Sequence, residues 1–538
     1  MISTAGVVYP LASTYAPDLR STELDRATGI TAAGLDRRFG AGLVSLLTVL
    51  GVLVEGYHPY AEDGGLYMAG IKRVLDPSLY PHESAFVMEH LRFSLFAPAV
   101  AVLVRLSHLS VAAVLLVLHV ASVWVTLYAA WRLAGMCYAR REVRAGAVSL
   151  LAVWLALPVA GTSLVMMDPY VTARSLSTPC ALLALLGVLK SVLGATAVER
   201  RRGALLCCAA LVVAGLFHPL MAAYAMGCAL VLRCLLVPNR TLRLWGTAGL
   251  CIVAVVVAAI VQFGSPVETA DYLRVVMTRP YWFLQDWAWY ELFGLVGPLW
   301  ILAMIAVKRR RDDDAARGAL TRMGVAVGCI AILVALLFAR PDLQTHVVAR
   351  LQPLRIFQII YVLMTIVTGA ALIERLLLQS VWRWIVAFSA LAGVMVYTSQ
   401  RTFPHSVHLE MPWAQPANKW ERAFVWVSRH TPKDALFALD AHYITQPEED
   451  AQCFRAIAER SMLPDYSKDG GEASITPDLS AAWMVGQNAQ AELNADSDAD
   501  RMAKLKPLGV TWVLLDAASV TSMQCDYTNS AVKVCRLP

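Results

Sequence analysis

Long apolar runs alternate with short polar segments over most of the chain. A membrane-spanning helix needs about 20 consecutive, mainly apolar residues. The pattern predicts about 11 transmembrane helices, at residues 40–57, 109–131, 146–166, 176–196, 203–217, 219–237, 244–263, 293–308, 322–339, 356–374 and 381–399. The stretch 91–107 is shorter and is interrupted by Arg92, Pro98 and Arg105, so it is expected to form an interfacial helix on the outer surface.

The basic residues lie mainly in loops on one side of this series, at residues 139–144, 199–202, 239–243, 308–311 and 374–383. Cytoplasmic loops of membrane proteins are enriched in Lys and Arg. These loops and the flexible N-terminal tail at residues 1–38 are therefore expected in the cytoplasm. An odd number of spans then places everything after Gln400 outside the cytoplasm.

The composition becomes polar after Arg401, where no further run is long enough to cross a membrane. Helical patterns at 417–430 and 449–460 alternate with strand patterns at 435–440 and 510–516, which is typical of a small α/β domain. The chain ends in a predicted hairpin that carries Cys525 and Cys535. If this domain faces an oxidising compartment, we expect a disulfide between them and an unpaired Cys453.

Composition supports the same architecture. The chain is 58% hydrophobic and 16% charged, with a mean hydropathy of +0.55, which is outside the range of soluble proteins. We therefore expect an α-helical polytopic protein of the cytoplasmic membrane, with a transmembrane domain at residues 39–400 and an extracytoplasmic α/β domain at 401–538.

The net charge of +6 is small, so no nucleic-acid partner is indicated. The sequence contains no glycine-rich phosphate loop, HExxH or CxxC motif.

Two adjacent carboxylates, Glu62 and Asp63, follow the first predicted span, among Tyr57, His58, Tyr60 and Tyr67. Such a group suits proton abstraction or cation coordination near the membrane surface. Burial and mutual repulsion are expected to raise the pKa of one carboxylate towards working pH. Asp63 is the better candidate base, because Tyr67 follows at i+4 on its helical face. The alternative is that both carboxylates only cap a loop helix.

Polar residues also occur at the outer ends of other predicted spans. Asp168 and Arg174 flank the start of the fourth span, where an arginine fork and free helix N–H groups suit an anion. Asp168 could instead help to hold a divalent metal, or simply cap a turn and pair with Arg174. His218 interrupts two apolar runs, and Arg279 lies in an aromatic-rich loop that is typical of a membrane interface.

The last outer loop supplies several candidates for substrate binding: His346, Arg350, Gln352 and Arg355. Arg355 opens a predicted span, so its side chain either extends to the interface or points inward at a phosphate. A cation at this depth is usually functional, which favours the inward orientation.

Together, these residues resemble the GT-C superfamily of integral-membrane glycosyltransferases, which take a sugar from a polyprenyl-phosphate carrier at the outer membrane face. That family has an acidic residue or pair in the first outer loop, which Glu62 and Asp63 match. Many members have a second acidic motif in the next outer loop, where Asp168 lies. The resemblance implies that Arg355 or Arg350 binds the carrier phosphate.

The second loop reads Asp168-Pro169-Tyr170 rather than a paired-acid motif, which leaves metal dependence open. Several sequence blocks also resemble an uncharacterised family of bacterial multispanning proteins. The resemblance implies an inverting transferase that needs no organic cofactor, with a lipid-linked sugar donor and a glycan, lipid or protein acceptor. The alternatives are a transporter or flippase for a lipid-linked or anionic solute, and a membrane-anchored protein that binds cell-envelope glycans.

Overall fold

The computed structural model describes residues 32–307, 315–377 and 380–538. Most of the predicted N-terminal tail, at 1–31, lies outside the described residues. The basic loop at 308–311 and residues 378–379 of the loop at 374–383 also lie outside them.

The first part of the chain is helical. Its helices are α1 (Ala32–Glu55), α2 (Glu62–Leu75), α3 (Ala85–Met88), α4 (Phe96–Ser107), α5 (Val111–Cys137), α6 (Arg141–Val153), α7 (Ala173–Leu193), α8 (Ala197–Phe217), α9 (Pro219–Leu235), α10 (Arg240–Phe263), α11 (Ala270–Met277), α12 (Trp289–Val307), α13 (Ala315–Phe338), α14 (Val347–Arg350), α15 (Phe357–Leu372) and α16 (Val381–Thr402). Short 3₁₀ helices lie at Glu89–Phe93, Pro280–Trp282, Leu284–Asp286 and Pro353–Ile356, and a π-helical turn follows α15 at Ile373–Leu377.

The described residues contain eight helices that are long and apolar enough to cross a membrane. These are α1 from Asp36 onward, α5, α7, α10, α12, α13, the continuous stretch Val347–Leu377, and α16. A ninth is counted if the bent pair Ala85–Phe93 and Phe96–Ser107 forms one broken span. The predicted polytopic helical class is confirmed, and eight of the about 11 predicted spans meet this criterion of length and apolarity.

The other three predicted spans fall on segments that do not meet this criterion. At 146–166, α6 ends at Val153 and the chain becomes irregular. The predicted span at 203–217 lies in α8, whose first two turns carry Glu199 and three arginines. At 219–237 the helix α9 has only 17 residues. The predicted interfacial stretch at 91–107 contains α4, which is bent by 99° from the preceding helix.

Burial separates central helices from peripheral ones. Within the apolar windows, 83% of Val347–Leu377 and 61% of α7 is buried, against 6% for α10 and for α16. Apolar faces left uncovered by protein are suited to lipid tails. Glycines allow close packing at the centre: a Cβ on Gly369 of α15 would lie 2.6 Å from the carbonyl oxygen of Gly146 in α6.

The C-terminal part of the chain is a mixed α/β region. Its helices are α17 (Lys419–His430), α18 (Phe454–Ala458), α19 (Lys468–Ile475), α20 (Ser480–Gln490) and α21 (Asp498–Leu505), with 3₁₀ helices at Tyr443–Thr445, Pro477–Leu479 and Lys506–Leu508. Its strands are β1 (Leu436–Ala438), β2 (Ser461–Met462), β3 (Trp512–Asp516), β4 (Cys525–Thr528) and β5 (Val532–Arg536). The order in the sheet is β2-β1-β3-β5-β4.

The sheet combines both kinds of strand pairing. β1 is parallel to β2 and β3, whereas β5 is antiparallel to β3 and β4. Apolar side chains pack on both faces of the sheet, with Phe437 in one core and Leu436 in the other. The predicted α/β character is confirmed, as is the Cys525–Cys535 disulfide across β4 and β5. Cys453 is free and buried, as expected.

The α/β region contacts the chain that follows α1. Tyr57 forms a bridge with Leu409, and Ala61 forms one with Gln452. The backbone N–H of Glu62 donates to the carbonyl of Ala451 at 2.9 Å. These backbone contacts fix the first turn of α2, which carries the candidate carboxylates, against the C-terminal region.

Candidate functional site

Arg174 joins the two acidic residues that the sequence assigns to different loops. Its Nη1 and Nη2 each donate to Asp63 Oδ2 at 3.2 Å, and Nη2 also donates to Asp168 Oδ2 at 3.1 Å. Arg174 lies in the first turn of α7, and Asp63 lies in the first turn of α2. The Asp63 side chain is 31% exposed, against 7% for Asp168 and 6% for Arg174. Asp63 is therefore the more accessible of the two carboxylates.

A lysine from the C-terminal region completes this ion cluster. Lys468 opens α19 and donates from Nζ to Asp63 Oδ1 at 3.1 Å. The same ammonium group forms an ion pair with Glu62. Glu62 itself has a backbone φ of 52°, in the left-handed region that is unusual for residues other than glycine. The cluster thus depends on contact between the helical part of the chain and the α/β region.

The ion cluster sets opposite pKa shifts on the two aspartates. Burial alone would raise the pKa of Asp63, but the charges of Lys468, Arg174 and Arg355 outweigh it and hold that pKa well below its usual range. The expectation of a raised pKa is therefore wrong for Asp63, because these cations surround it. Burial raises the pKa of Asp168, and Arg174 only partly offsets this effect.

Arg355 lies beside the ion cluster without being paired in it. Asp63 and Arg174 are among its electrostatic neighbours. Within the described part of the chain, its guanidinium forms no hydrogen bond or ion pair, and its Nε is buried without a partner. The residue sits in the 3₁₀ turn Pro353–Ile356, which leads into the most buried span. Arg355 therefore offers a free cation at the edge of the membrane part.

Three further predicted residues surround this group. Tyr67 packs its ring against His90 and Phe96, and burial raises its pKa in the electrostatic field of Arg174 and Asp63. His218 caps α9 by accepting a hydrogen bond from the Met221 N–H at 3.4 Å. The backbone carbonyl of Gln352 accepts a 2.9 Å hydrogen bond from the Tyr224 hydroxyl, an electrostatic neighbour of Arg355.

Two predicted histidines are paired elsewhere. His58 Nδ1 lies 3.2 Å from Glu410 Oε1 at the junction with the C-terminal region. Burial lowers the pKa of His58 to about 4. His346 Nδ1 lies 2.7 Å from Glu268 Oε2. Both rings are almost completely buried, so they join chain segments in this structure.

Two predicted arginines also contact the chain around the site. The Arg279 guanidinium donates to the backbone carbonyls of Ser467 at 2.8 Å and Tyr466 at 2.5 Å. It thereby holds the segment that immediately precedes Lys468. Arg350 forms a hydrogen bond with the Tyr272 side chain.

Sequence reasoning missed Lys468, His90 and Glu472. Glu472 lies one turn after Lys468 on α19, and its Oε1 is 3.6 Å from His90 Nδ1. Asp63 is an electrostatic neighbour of both His90 and Glu472. The i, i+4 spacing of Lys468 and Glu472 places them on one helical face. That spacing was the available signal, but it did not indicate which part of the protein the helix would meet.

A second buried polar pair lies inside the helical part. Glu55 Oε2 of α1 is 4.0 Å from His119 Nε2 of α5, and both side chains are almost inaccessible. The two carboxylate oxygens and the two ring nitrogens have no hydrogen-bond partner among the described residues. Asp168 is an electrostatic neighbour of Glu55, which places this pair close to the ion cluster.

The described residues contain no group of three or more His, Cys, Asp or Glu side chains arranged to hold a metal ion.

Comparison with known proteins gives a distant structural likeness. No family model matches the chain, and no curated protein matches it. The chain is similar in structure to arabinofuranosyltransferase AftD from Mycobacteria. That cryo-EM structure has a TM-score of 0.45 and 18% identity, and the match covers 90% of this chain and 35% of AftD. A structure of an AftD mutant gives a TM-score of 0.46 and 16% identity, covering 93% of this chain and 41% of the mutant. This chain spans less than half the length of the two AftD chains.

Proposed function

We propose that this protein is a membrane glycosyltransferase that moves a sugar from a polyprenyl-phosphate carrier to an acceptor hydroxyl. One observation carries the proposal: Arg174 gathers Asp63 and Asp168, while the guanidinium of Arg355 beside them has no hydrogen-bond or ion-pair partner among the described residues. A transferase of this class needs a carboxylate for the acceptor and a cation for the carrier phosphate. Here Arg355 is an electrostatic neighbour of Asp63, so both groups are close together.

The donor phosphate would bind Arg355. Guanidinium groups bind phosphate oxygens with two parallel hydrogen bonds, and Arg355 has no competing partner among the described residues. Its position at the start of Val347–Leu377 suits a ligand whose phosphate stays at the membrane surface while its polyprenyl chain lies in lipid. Arg350, Gln352, His218 and Tyr67 would line the surrounding substrate site.

The acceptor hydroxyl would approach Asp63 and displace Lys468 from Oδ1. Lys468 is the strongest of the cations that hold down the pKa of Asp63, so its displacement makes Asp63 a stronger base. The hydroxyl oxygen attacks the anomeric carbon as its proton passes to Asp63. The bond between that carbon and the phosphate oxygen breaks, and the electron pair leaves with the phosphate beside Arg355. A single displacement of this kind inverts the anomeric centre. Glu62 would keep Lys468 nearby.

The proposed reaction takes place at the outer face of the cytoplasmic membrane. The disulfide at Cys525 and Cys535 supports this orientation, because disulfides persist mainly in oxidising compartments. Lys468 of the α/β region contacts Asp63 directly, so the site and that region share one side. We propose a cytoplasmic tail at residues 1–38, a transmembrane domain at 39–400 and an extracytoplasmic domain at 401–538. A reporter fused after Arg401 should be active only outside the cytoplasm, and cytoplasmic activity would overturn this orientation.

A transporter or flippase for a lipid-linked or anionic solute is the second candidate. The buried Glu55–His119 pair favours it, because ionisable pairs inside membrane spans often relay protons in transporters. Reconstituted vesicles distinguish the two functions. A transferase forms a new glycosidic bond and releases polyprenyl phosphate, whereas a transporter moves an intact solute across the bilayer.

Carrier binding tests the role of Arg355 directly. Arg355→Gln should weaken binding of polyprenyl phosphate in nanodiscs by tenfold or more, since a charge-assisted hydrogen bond contributes about 1.5–3 kcal/mol. Arg375→Gln, in the π-helical turn at the far end of the same span, is the matched control and should bind normally. Equal binding by both variants would overturn the assignment of Arg355 to the phosphate.

A further inference from the structure

A cleft of about 440 Å³ opens between α11 and the C-terminal region, away from the ion cluster described above. Small-molecule sites commonly have volumes of about 300–1,000 Å³, so this cleft can hold a ligand. Arg274 and Thr278 line it on the helical side. The opposite wall comes from the loop after β1 and from α20.

Aromatic rings and polar groups alternate along this wall. The rings of His442 and Tyr466 lie 4.2 Å apart, and those of Tyr466 and Trp483 lie 5.9 Å apart. His442 is exposed at the surface of the cleft. Gln487 donates from Nε2 to the Pro464 carbonyl at 2.8 Å, and its carbonyl oxygen has no hydrogen-bond partner among the described residues.

The charges around the cleft are mixed. Arg274 lies on one side, and the carboxylates of Asp440 and Glu492 lie on the other. An anionic ligand would meet the two carboxylates, and a cationic ligand would meet the arginine. Rings beside carboxylate and amide oxygens suit a neutral polyol, whose C–H faces pack on aromatic rings while its hydroxyls donate to oxygen acceptors.

The cleft is connected to the ion cluster through one short segment. Tyr466 lines the cleft, and Lys468, two residues later, contacts Asp63. Arg279 holds the first two residues of this segment, since its guanidinium donates to the carbonyls of Tyr466 and Ser467 and lies 5.7 Å from the Tyr466 ring centroid. A ligand that shifts Tyr466 would therefore shift the lysine that covers Asp63.

We propose that this cleft binds the acceptor, and that the acceptor is a neutral oligosaccharide. The glycan packs against His442 and Tyr466 and donates a hydroxyl hydrogen bond to Gln487. This inference rests on the proposed function and deepens it by naming the class of acceptor. It also explains why the α/β region contributes Lys468 to the site: the region that recognises the acceptor also controls access to the base.

The test is a binding experiment with the full chain in nanodiscs. The probes are linear oligosaccharides of glucose, mannose, galactose and arabinose, with binding measured by calorimetry. At least one series should bind the parent protein, and His442→Ala and Gln487→Ala should each weaken that binding about tenfold, equivalent to about 1.4 kcal/mol. Val485→Ala is the matched control, because Val485 is exposed on the same helix as Gln487 but does not line the cleft.

Two results would overturn this inference. One is the absence of binding by every oligosaccharide in the panel, and the other is equal binding by the parent, His442→Ala and Gln487→Ala. Asp63→Asn separates this inference from the proposed function. That variant should bind the oligosaccharide normally and fail only in sugar transfer. A parent protein that transfers sugar without binding any oligosaccharide would overturn the cleft assignment alone.

Discussion

Lys468 Nζ lies 3.1 Å from Asp63 Oδ1, although 405 residues separate the two in the sequence. The contact joins the first helix after α1 to a helix of the C-terminal α/β region. It also places a cation on the carboxylate that we propose as the base. The α/β region is therefore part of the candidate site.

Replacing Lys468 should change how the stability of the folded protein depends on pH. The pKa of Asp63 lies well below the unfolded value of about 3.9. Its stabilising contribution is therefore fully present above about pH 4 and is lost as the pH falls towards the folded pKa. Lys468→Met should lower the unfolding midpoint at pH 6 by a few degrees and flatten its decline as the pH falls below about 4. Lys433→Met, at an exposed pair with Asp76, is the control. An acid profile identical to that of the parent would contradict the role given to Lys468.

Arg174 should contribute most to the stability of the ion cluster. Breaking a buried ion pair by removing one partner typically costs about 3–5 kcal/mol, and Arg174 serves two carboxylates. Arg174→Met should therefore lower the unfolding midpoint strongly. Adding Asp168→Asn to Arg174→Met should recover part of the loss, because it removes a buried carboxylate that has lost its partner. Thermal unfolding in nanodiscs measures both effects. A double variant that is no more stable than Arg174→Met would show that the charge of Asp168 is not the cause.

The buried pair of His58 and Glu410 should make the protein less stable above neutral pH. Burial lowers the pKa of His58 to about 4 and raises that of Glu410 to about 8. Their unfolded values are about 6.5 and 4.3. The His58 contribution is present above pH 6.5 and is lost as the pH falls towards 4. The Glu410 contribution is present below pH 4.3 and is lost as the pH rises towards 8.

As the pH rises from about 4.3 to 6.5, His58 increases stability while Glu410 decreases it. Above about pH 6.5, only the loss of stability from Glu410 continues. Glu410→Gln should therefore reduce the fall in the unfolding midpoint between pH 6.5 and pH 8.5. Glu448→Gln, at an exposed carboxylate, should leave the fall unchanged. The same slope in the parent and in Glu410→Gln would contradict a protonated Glu410 at the junction.

The disulfide should stabilise the end of the α/β region. It closes a loop with a sequence separation of 10 residues, for which loop-closure entropy predicts a stabilisation of about 3 kcal/mol. Cys525→Ala with Cys535→Ala should lower the unfolding midpoint of the α/β region, and reductant should have the same effect on the parent. Cys453→Ala is the control for general loss of a cysteine. Parent protein whose midpoint does not respond to reductant would contradict this prediction.

Local patterns predicted the parts of this protein that depend on local physics. Apolar run length identified eight helices that are long and apolar enough to cross a membrane. At 146–166 the apolar run contains the shorter helix α6 and an irregular segment. Spacing from the predicted spans also picked out Asp63, Asp168 and Arg174, which the structure brings into one ion cluster.

Partners distant in sequence could not be predicted in this way. Glu410 lies 352 residues from His58, and no local pattern indicates that their side chains meet. For the same reason, the contact between Lys468 and Asp63 could not be predicted from local patterns. A raised pKa was expected for one of the two adjacent carboxylates, but the pKa of Asp63 is lowered by cations from distant parts of the chain, which local patterns do not indicate.

The most direct test of the proposed transferase is turnover by Asp63→Asn. The parent and the variant are reconstituted in vesicles with a panel of polyprenyl-phosphate sugars and oligosaccharide acceptors, and release of free polyprenyl phosphate is followed with time. The parent should turn over at least one donor. Asp63→Asn should fold and bind polyprenyl phosphate normally while turning over about 10² to 10⁴ times more slowly, as expected for loss of a general base. Turnover by Asp63→Asn at the parental rate would contradict the mechanism proposed for this site.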